Sequence, residues 1–77
     1  MTDAETLPPD VEDLPVAARW IYCEIRHDGQ IGITELKRRT GLDVSTIRRR
    51  TTDLEERGVI ESRWRDEDPR ERVFCLN

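Results

Sequence analysis

Lysine is almost absent from this chain: Lys37 is the only one, beside twelve arginines and 17 acids. Few lysines and many acids suit a surface to very salty cytoplasm, where net negative charge maintains solubility; a GC-rich codon bias would leave the same arginine excess. Long apolar runs are absent too. No stretch of about 18 apolar residues occurs, so no membrane-spanning helix is expected. Met1 to Asp13 has no basic region followed by an apolar one, which reads against a signal peptide and predicts a cytoplasmic location. Cysteine and histidine are scarce, with only Cys23, Cys75 and His27. The cysteines are too far apart for a CxxC site, and one histidine does not complete a zinc set, so neither metal nor cofactor is expected. Both cysteines are expected as small core residues, with a disulfide disfavoured by a reducing compartment. No Ser or Cys motif accompanies His27, no Gly-rich phosphate loop occurs, and no carboxylate pair is spaced to face across a cleft. Neither an enzyme nor a small-molecule site is therefore expected. With 77 residues the chain makes one small domain, too small for a cleft between two domains or a barrel, and a binding module is favoured.

What is present is charge, and its distribution matters more than its sum. The net charge is -4. Residues 1 to 13 hold Asp3, Glu5, Asp10, Glu12 and Asp13 without a base, which leaves twelve acids to face all thirteen bases in the remainder. This segment also contains Pro8 and Pro9 and only Leu7 and Val11 as sizeable aliphatics, so residues 1–13 are expected to form a mobile acidic tail. From residue 37 to residue 50 the sign reverses: Lys37, Arg38, Arg39, Arg48, Arg49 and Arg50 stand against Asp43 alone.

The remaining chain, residues 14–77, reads as one α+β domain. Asp13 is expected to cap a first helix with Pro15 in its first turn and Gly29 as its stop. Leu14, Ala17, Ala18, Ile21, Tyr22 and Ile25 recur at three- and four-residue spacing and make its core face. Gln30 to Ile33 alternates like a brief strand. Thr34 is expected to cap a second helix that Gly41 ends, and Asp43 a third that runs from Val44 to Arg57 with Gly58 as its stop. Two helices joined by a short Gly-containing turn make a helix-turn-helix. Beyond Gly58 the period becomes two, and Val59–Arg65 and Arg72–Leu76 pair as a hairpin around residues 66–70. Opposing Ile60 to Leu76 and Ser62 to Phe74 gathers Ile60, Trp64, Phe74 and Leu76 on one face. A one-residue slip would expose Phe74 and collect Arg63, Arg65, Arg70 and Arg72 instead. The first register is expected, since burying Phe74 and Leu76 contributes about 1.5–3 kcal/mol each.

The order helix, strand, helix, turn, helix, hairpin is that of a winged helix-turn-helix. The runs Ser45-Thr46-Ile47-Arg48-Arg49-Arg50, Leu54-Glu55-Glu56-Arg57-Gly58-Val59-Ile60 and Val73-Phe74-Cys75-Leu76-Asn77 resemble the recognition helix and wing of MarR-like and ArsR-like transcription regulators. The resemblance covers about residues 14–77 and extends to small repressor-like winged-helix proteins of halophiles and their viruses. It implies that the third helix enters the major groove of double-stranded DNA while the hairpin lies on the adjacent backbone or minor groove. Three departures stand out: Thr51 occupies a core position usually held by Leu, the wing tip Asp66-Glu67-Asp68 is acidic, and the terminal helices with which larger relatives dimerise are not seen.

The residues support that implication independently. Val44, Ile47, Thr51 and Leu54 form the buried stripe of the third helix, leaving Ser45, Thr46, Arg49, Thr52, Asp53 and Glu56 outward. Arg49 is suited to contact guanine bidentately, and Ser45 and Thr46 lie at the end where recognition helices touch base edges. Lys37, Arg38, Arg39, Arg48 and Arg50 are the phosphate candidates, with Arg63, Arg65, Arg70 and Arg72 of the wing weaker because acids interleave with them. The alternative for the third helix is a solvated face whose arginines pair with Asp53. The expected function is a sequence-specific regulator, a repressor by occupancy; the rival is a winged helix used only for protein contact.

Val16, Trp20, Cys23 and His27 form a second stripe on the first helix. Such a face asks for a cover, and a homodimer is the expected one. Its rivals within one chain are Leu7 and Val11 folding over Trp20, or Trp20 packing beside Trp64.

Overall fold

The computed structural model describes residues 7–64 and 71–77. In chain order the elements are α1 (Pro9–Glu12), α2 (Val16–Asp28), β1 (Gln30–Gly32), α3 (Ile33–Thr40), α4 (Val44–Glu56), β2 (Ile60–Trp64) and β3 (Arg72–Leu76). The strands form one antiparallel sheet in the order β1-β3-β2. The three expected helices, the short strand and the hairpin are therefore present, joined by an additional helix α1.

That helix corrects the expected boundary at residue 13. Val11 is fully buried, Leu14 nearly so, and Leu7 packs against the same core. The segment packs against α2, and Arg57 clasps it from outside. Its guanidinium donates to the Asp10 carbonyl at 2.9 Å and to the Asp13 carboxylate at 3.0 Å. Residues 1–6 of the expected tail lie outside the described residues. Asp13 is accordingly not the cap of α2. It closes α1, and Pro15 precedes the first residue of α2 with its carbonyl accepting from Arg19 N–H. Thr34 is likewise not a cap: α3 begins at Ile33, two residues before the expected Glu35, with Gly32 at its N-cap position where the pairing of β1 with β3 ends at Gly32↔Val73.

The apolar spacing of each helix is cashed in one common core. Ala18, Ile21, Tyr22 and Ile25 of α2 meet Leu36 of α3, Ile47 and Leu54 of α4, and Ile31, Ile60 and Phe74 of the sheet. Phe74 is fully buried, consistent with a contribution of about 1.5–3 kcal/mol. Thr51 also enters this core at 1% exposure; its hydroxyl donates to the Arg48 carbonyl at 3.1 Å, which removes the cost of an unpaired polar group.

The hairpin takes the register in which Ile60 faces Leu76 and Ser62 faces Phe74. Its apolar face is only half covered, however. Ile60 and Phe74 are buried, whereas Trp64 is 58% and Leu76 36% exposed. Trp64 lies at the strand end farthest along from Ile60 and faces Arg72 rather than a helix. Cys23 and Cys75, expected in the core, are free thiols and only half-buried; Cys75 faces away from the Phe74 side of β3, and Cys23 lies on the outer side of α2.

Candidate nucleic-acid interface

The turn between α3 and α4 is set by short-range chemistry. Thr40 donates its hydroxyl to the Leu36 carbonyl at 2.7 Å and accepts from Leu42 N–H at 3.2 Å, tying the end of α3 to the residue that follows the turn. Gly41 adopts φ 74°, a left-handed conformation that costs other residues more, and its N–H closes on the Lys37 carbonyl at 2.9 Å. Leu42 packs on the core and Asp43 caps α4, its carboxylate accepting from Thr46 N–H at 2.9 Å. The Thr46 side chain first, and its N–H second, hold the Asp43 carboxyl below its ordinary value of 3.8. The negative cap also suits the positive end of the helix dipole.

Ile47, Thr51 and Leu54 turn inward, so α4 presents its first two turns outward through Ser45, Arg48 and Arg49, all exposed, with Thr46 half-buried beside them. Neither Arg48 nor Arg49 has an acidic partner among the described residues, and the same holds for exposed Lys37 on α3.

The other candidate arginines are engaged. Arg39, expected on phosphate, is instead surrounded by carboxylates: Asp28 at 2.9 Å, Glu35 at 2.9 Å and Glu24 at 3.4 Å. Asp28 first, then Glu35, raise its already high pKa. It ties α2 to α3 and is a strut of the helix-turn-helix. Arg38 hydrogen-bonds Glu35 while remaining 72% exposed. Together with Arg39 it holds the Glu35 carboxyl below its ordinary 4.5. Arg50 pairs with Asp53 at 2.9 Å and is mostly covered; the alternative pairing of Asp53 expected for Arg49 or Arg57 is not formed. Arg63 lies 3.8 Å from Glu61. Arg65 and Arg70 lie outside the described residues.

Arg72 also departs from its expected role. Its guanidinium donates to Ser62 Oγ at 2.6 Å and to Glu55 Oε1 at 3.2 Å, while Ser62 donates to Glu55 Oε2 at 2.7 Å. The same guanidinium sits 5.4 Å from the Phe74 ring centre and 5.8 Å from that of Trp64. This cluster joins the hairpin to the last turns of α4, so the angle between wing and helix is braced by side chains. Glu55 and Ser62 carry no local sequence signal for that task. Only knowledge of the pairing of β2 with β3 and of their packing on α4 brings the three together.

The model of winged helix-turn-helix DNA-binding domains matches residues 19–61, more than half of the chain. The chain belongs to the winged helix-turn-helix DNA-binding family. Within that family it is similar to solved structures of MarR. One, a cysteine-to-serine mutant of MarR from E. coli complexed with operator DNA, is 26% identical with a TM-score of 0.77 and covers 84% of this chain and 46% of its own. The wild-type apo form from E. coli has 26% identity, a TM-score of 0.78 and coverages of 84% and 48%. A further MarR crystal structure reaches 28% identity and a TM-score of 0.79, with 84% and 47% covered. The chain thus spans less than half the length of these relatives. No curated protein matches it. Family and fold are those of DNA-binding regulators rather than enzymes. Among the described residues no group of three or more His, Cys, Asp or Glu side chains is placed to hold a metal ion, and no helix is long and apolar enough to cross a membrane.

Of the expected dimer face, Val16 is 67% and Trp20 42% exposed, His27 is exposed and Cys23 half-buried. Val11 is drawn into the core while Trp20 keeps that exposure, so the stripe on α2 lies open within the described chain.

Proposed function

We propose that the chain is a sequence-specific double-stranded DNA-binding transcription regulator that represses by occupying a promoter, with α4 in the major groove and the hairpin along the adjacent backbone. One observation carries this reading. The exposed Lys and Arg side chains without an acidic partner among the described residues are Lys37, Arg48 and Arg49, and all three lie on the helix-turn-helix. A chain with more acids than bases has left unneutralised cations on the element that its family uses for DNA. That a similar MarR was solved complexed with operator DNA supports DNA as the partner.

In this reading Arg49 reads a guanine edge, Ser45 and Thr46 touch neighbouring base edges, and Lys37 and Arg48 neutralise phosphates. Arg38, loosely paired and widely exposed, can exchange Glu35 for a phosphate. The acidic composition fits cytoplasm of high salt, where the screening length falls to about 3 Å and only close contacts count. Selection of bound duplexes from a random pool, at low and at molar salt, tests the proposal. An enriched motif is expected at both; a pool recovered without sequence enrichment would contradict sequence-specific binding.

A further inference from the structure

The outer stripe of α2 has the spacing of a coiled-coil seam. Val16, Trp20, Cys23 and His27 follow at four, three and four residues, which is the d-a-d-a pattern of a heptad. In that frame Arg19 holds the g position before Trp20, and Glu24 the e position after Cys23. We propose that this face pairs, parallel and in register, with the same face of a second copy of the chain.

The charges choose the partner and the orientation. In a parallel pair each g residue faces the e residue five positions on in the other helix, so Arg19 meets Glu24 of the second copy, twice by symmetry. In an antiparallel pair residues of the same flank face each other, and Arg19 would meet Arg26, a like-charge contact that costs stability. Both members of the favourable pair are available. Arg19 has its Nε buried without an acceptor and makes no ion pair among the described residues. Glu24 is the most distant of the three carboxylates around Arg39, at 3.4 Å, and Arg39 keeps Asp28 and Glu35 at 2.9 Å if Glu24 turns away. The seam buries Val16 and Trp20, two of the four large hydrophobic side chains left exposed among the described residues. It also sets Cys23 beside its own twin, where an antiparallel pair would set it beside Trp20.

Because the pairing uses α2 and not α4, it is independent of the DNA reading. It is tested on the full chain carrying Cys75→Ser, in roughly 0.1 M salt so that surface pairs are not screened out. Sedimentation equilibrium is expected to give a dimer. Mild oxidation with copper-phenanthroline is expected to give a covalent dimer that Cys23→Ser abolishes, since bridging needs Cα atoms about 4.4–6.8 Å apart. Arg19→Glu and Glu24→Arg are each expected to weaken association on the order of tenfold, and the double exchange to restore it. A monomer at millimolar concentration would overturn the proposal by assigning the stripe to a different partner. A dimer that does not cross-link through Cys23, or whose affinity ignores both charge reversals, would overturn the parallel geometry.

Discussion

Arg39 and Lys37 sit two residues apart on α3, and both belong to the basic stretch that a count of charges marks for DNA. The carboxylates around them separate their roles. Arg39→Ala removes the link between α2 and α3 and is expected to lower the melting temperature while leaving the salt dependence of DNA binding unchanged. Lys37→Ala is expected to do the reverse, reducing the slope of log K against log salt by about 1 at an unaltered melting temperature. At the same scale Arg49→Ala is expected to lose about 1–3 kcal/mol at one base position and to relax specificity there, as read by binding to single-base operator variants. Acid response is also set residue by residue. Asp43 and Asp13 are held below 3.8 by Thr46 and Arg57, and Glu35 below 4.5 by Arg38 and Arg39. Groups lowered in the folded state contribute stability above their unfolded values and lose it as pH falls through the folded ones. Melting temperatures are therefore expected to be insensitive to these groups near neutrality and to fall below about pH 4. Asp43→Asn, which still caps but does not titrate there, is expected to soften that fall.

Elements with strong local signals were legible from the residues alone. The caps and stops around the turn, Gly41 and Asp43, act within four residues of themselves, and the alternation of Ile60 and Phe74 admits one register that buries both. Helix α1 was not legible because Val11 has no periodic neighbours to announce it; its burial depends on packing against α2 and the common core, and on Arg57 from the end of α4. Val11→Ala is expected to cost about 2 kcal/mol in denaturant unfolding, the loss of two buried methyl groups with a small cavity. The Arg72 brace was hidden for the same reason, since its partners come from α4 and β2. Arg72→Ala is expected to raise hydrogen exchange in the β2–β3 hairpin while α2 amides keep their protection. Equal protection in the variant would show that backbone pairing alone fixes the wing.

For the whole molecule, a net charge of -4 is compatible with a DNA-binding surface because neutralisation inside the fold is uneven. Arg38, Arg39, Arg50, Arg57, Arg63 and Arg72 are paired with acids, and among the described residues the exposed Lys and Arg side chains without an acidic partner lie on α3 and the first half of α4. A copy that engages Lys37, Arg48 and one further phosphate contact is expected to show a salt slope of about -2.7, doubled if two copies bind together. The acidic composition thus limits the number of phosphate contacts without removing the site. The central claim is that the first two turns of α4 bind duplex DNA, and the most direct measurement is the affinity of the chain and of its Arg48→Ala, Arg49→Ala double variant for a duplex selected from a random pool. Wild type is expected to bind, and the variant, at an unchanged melting temperature, to bind at least about tenfold more weakly with a shallower salt slope. Equal binding by both proteins, or no duplex retained by the wild type, would contradict the account.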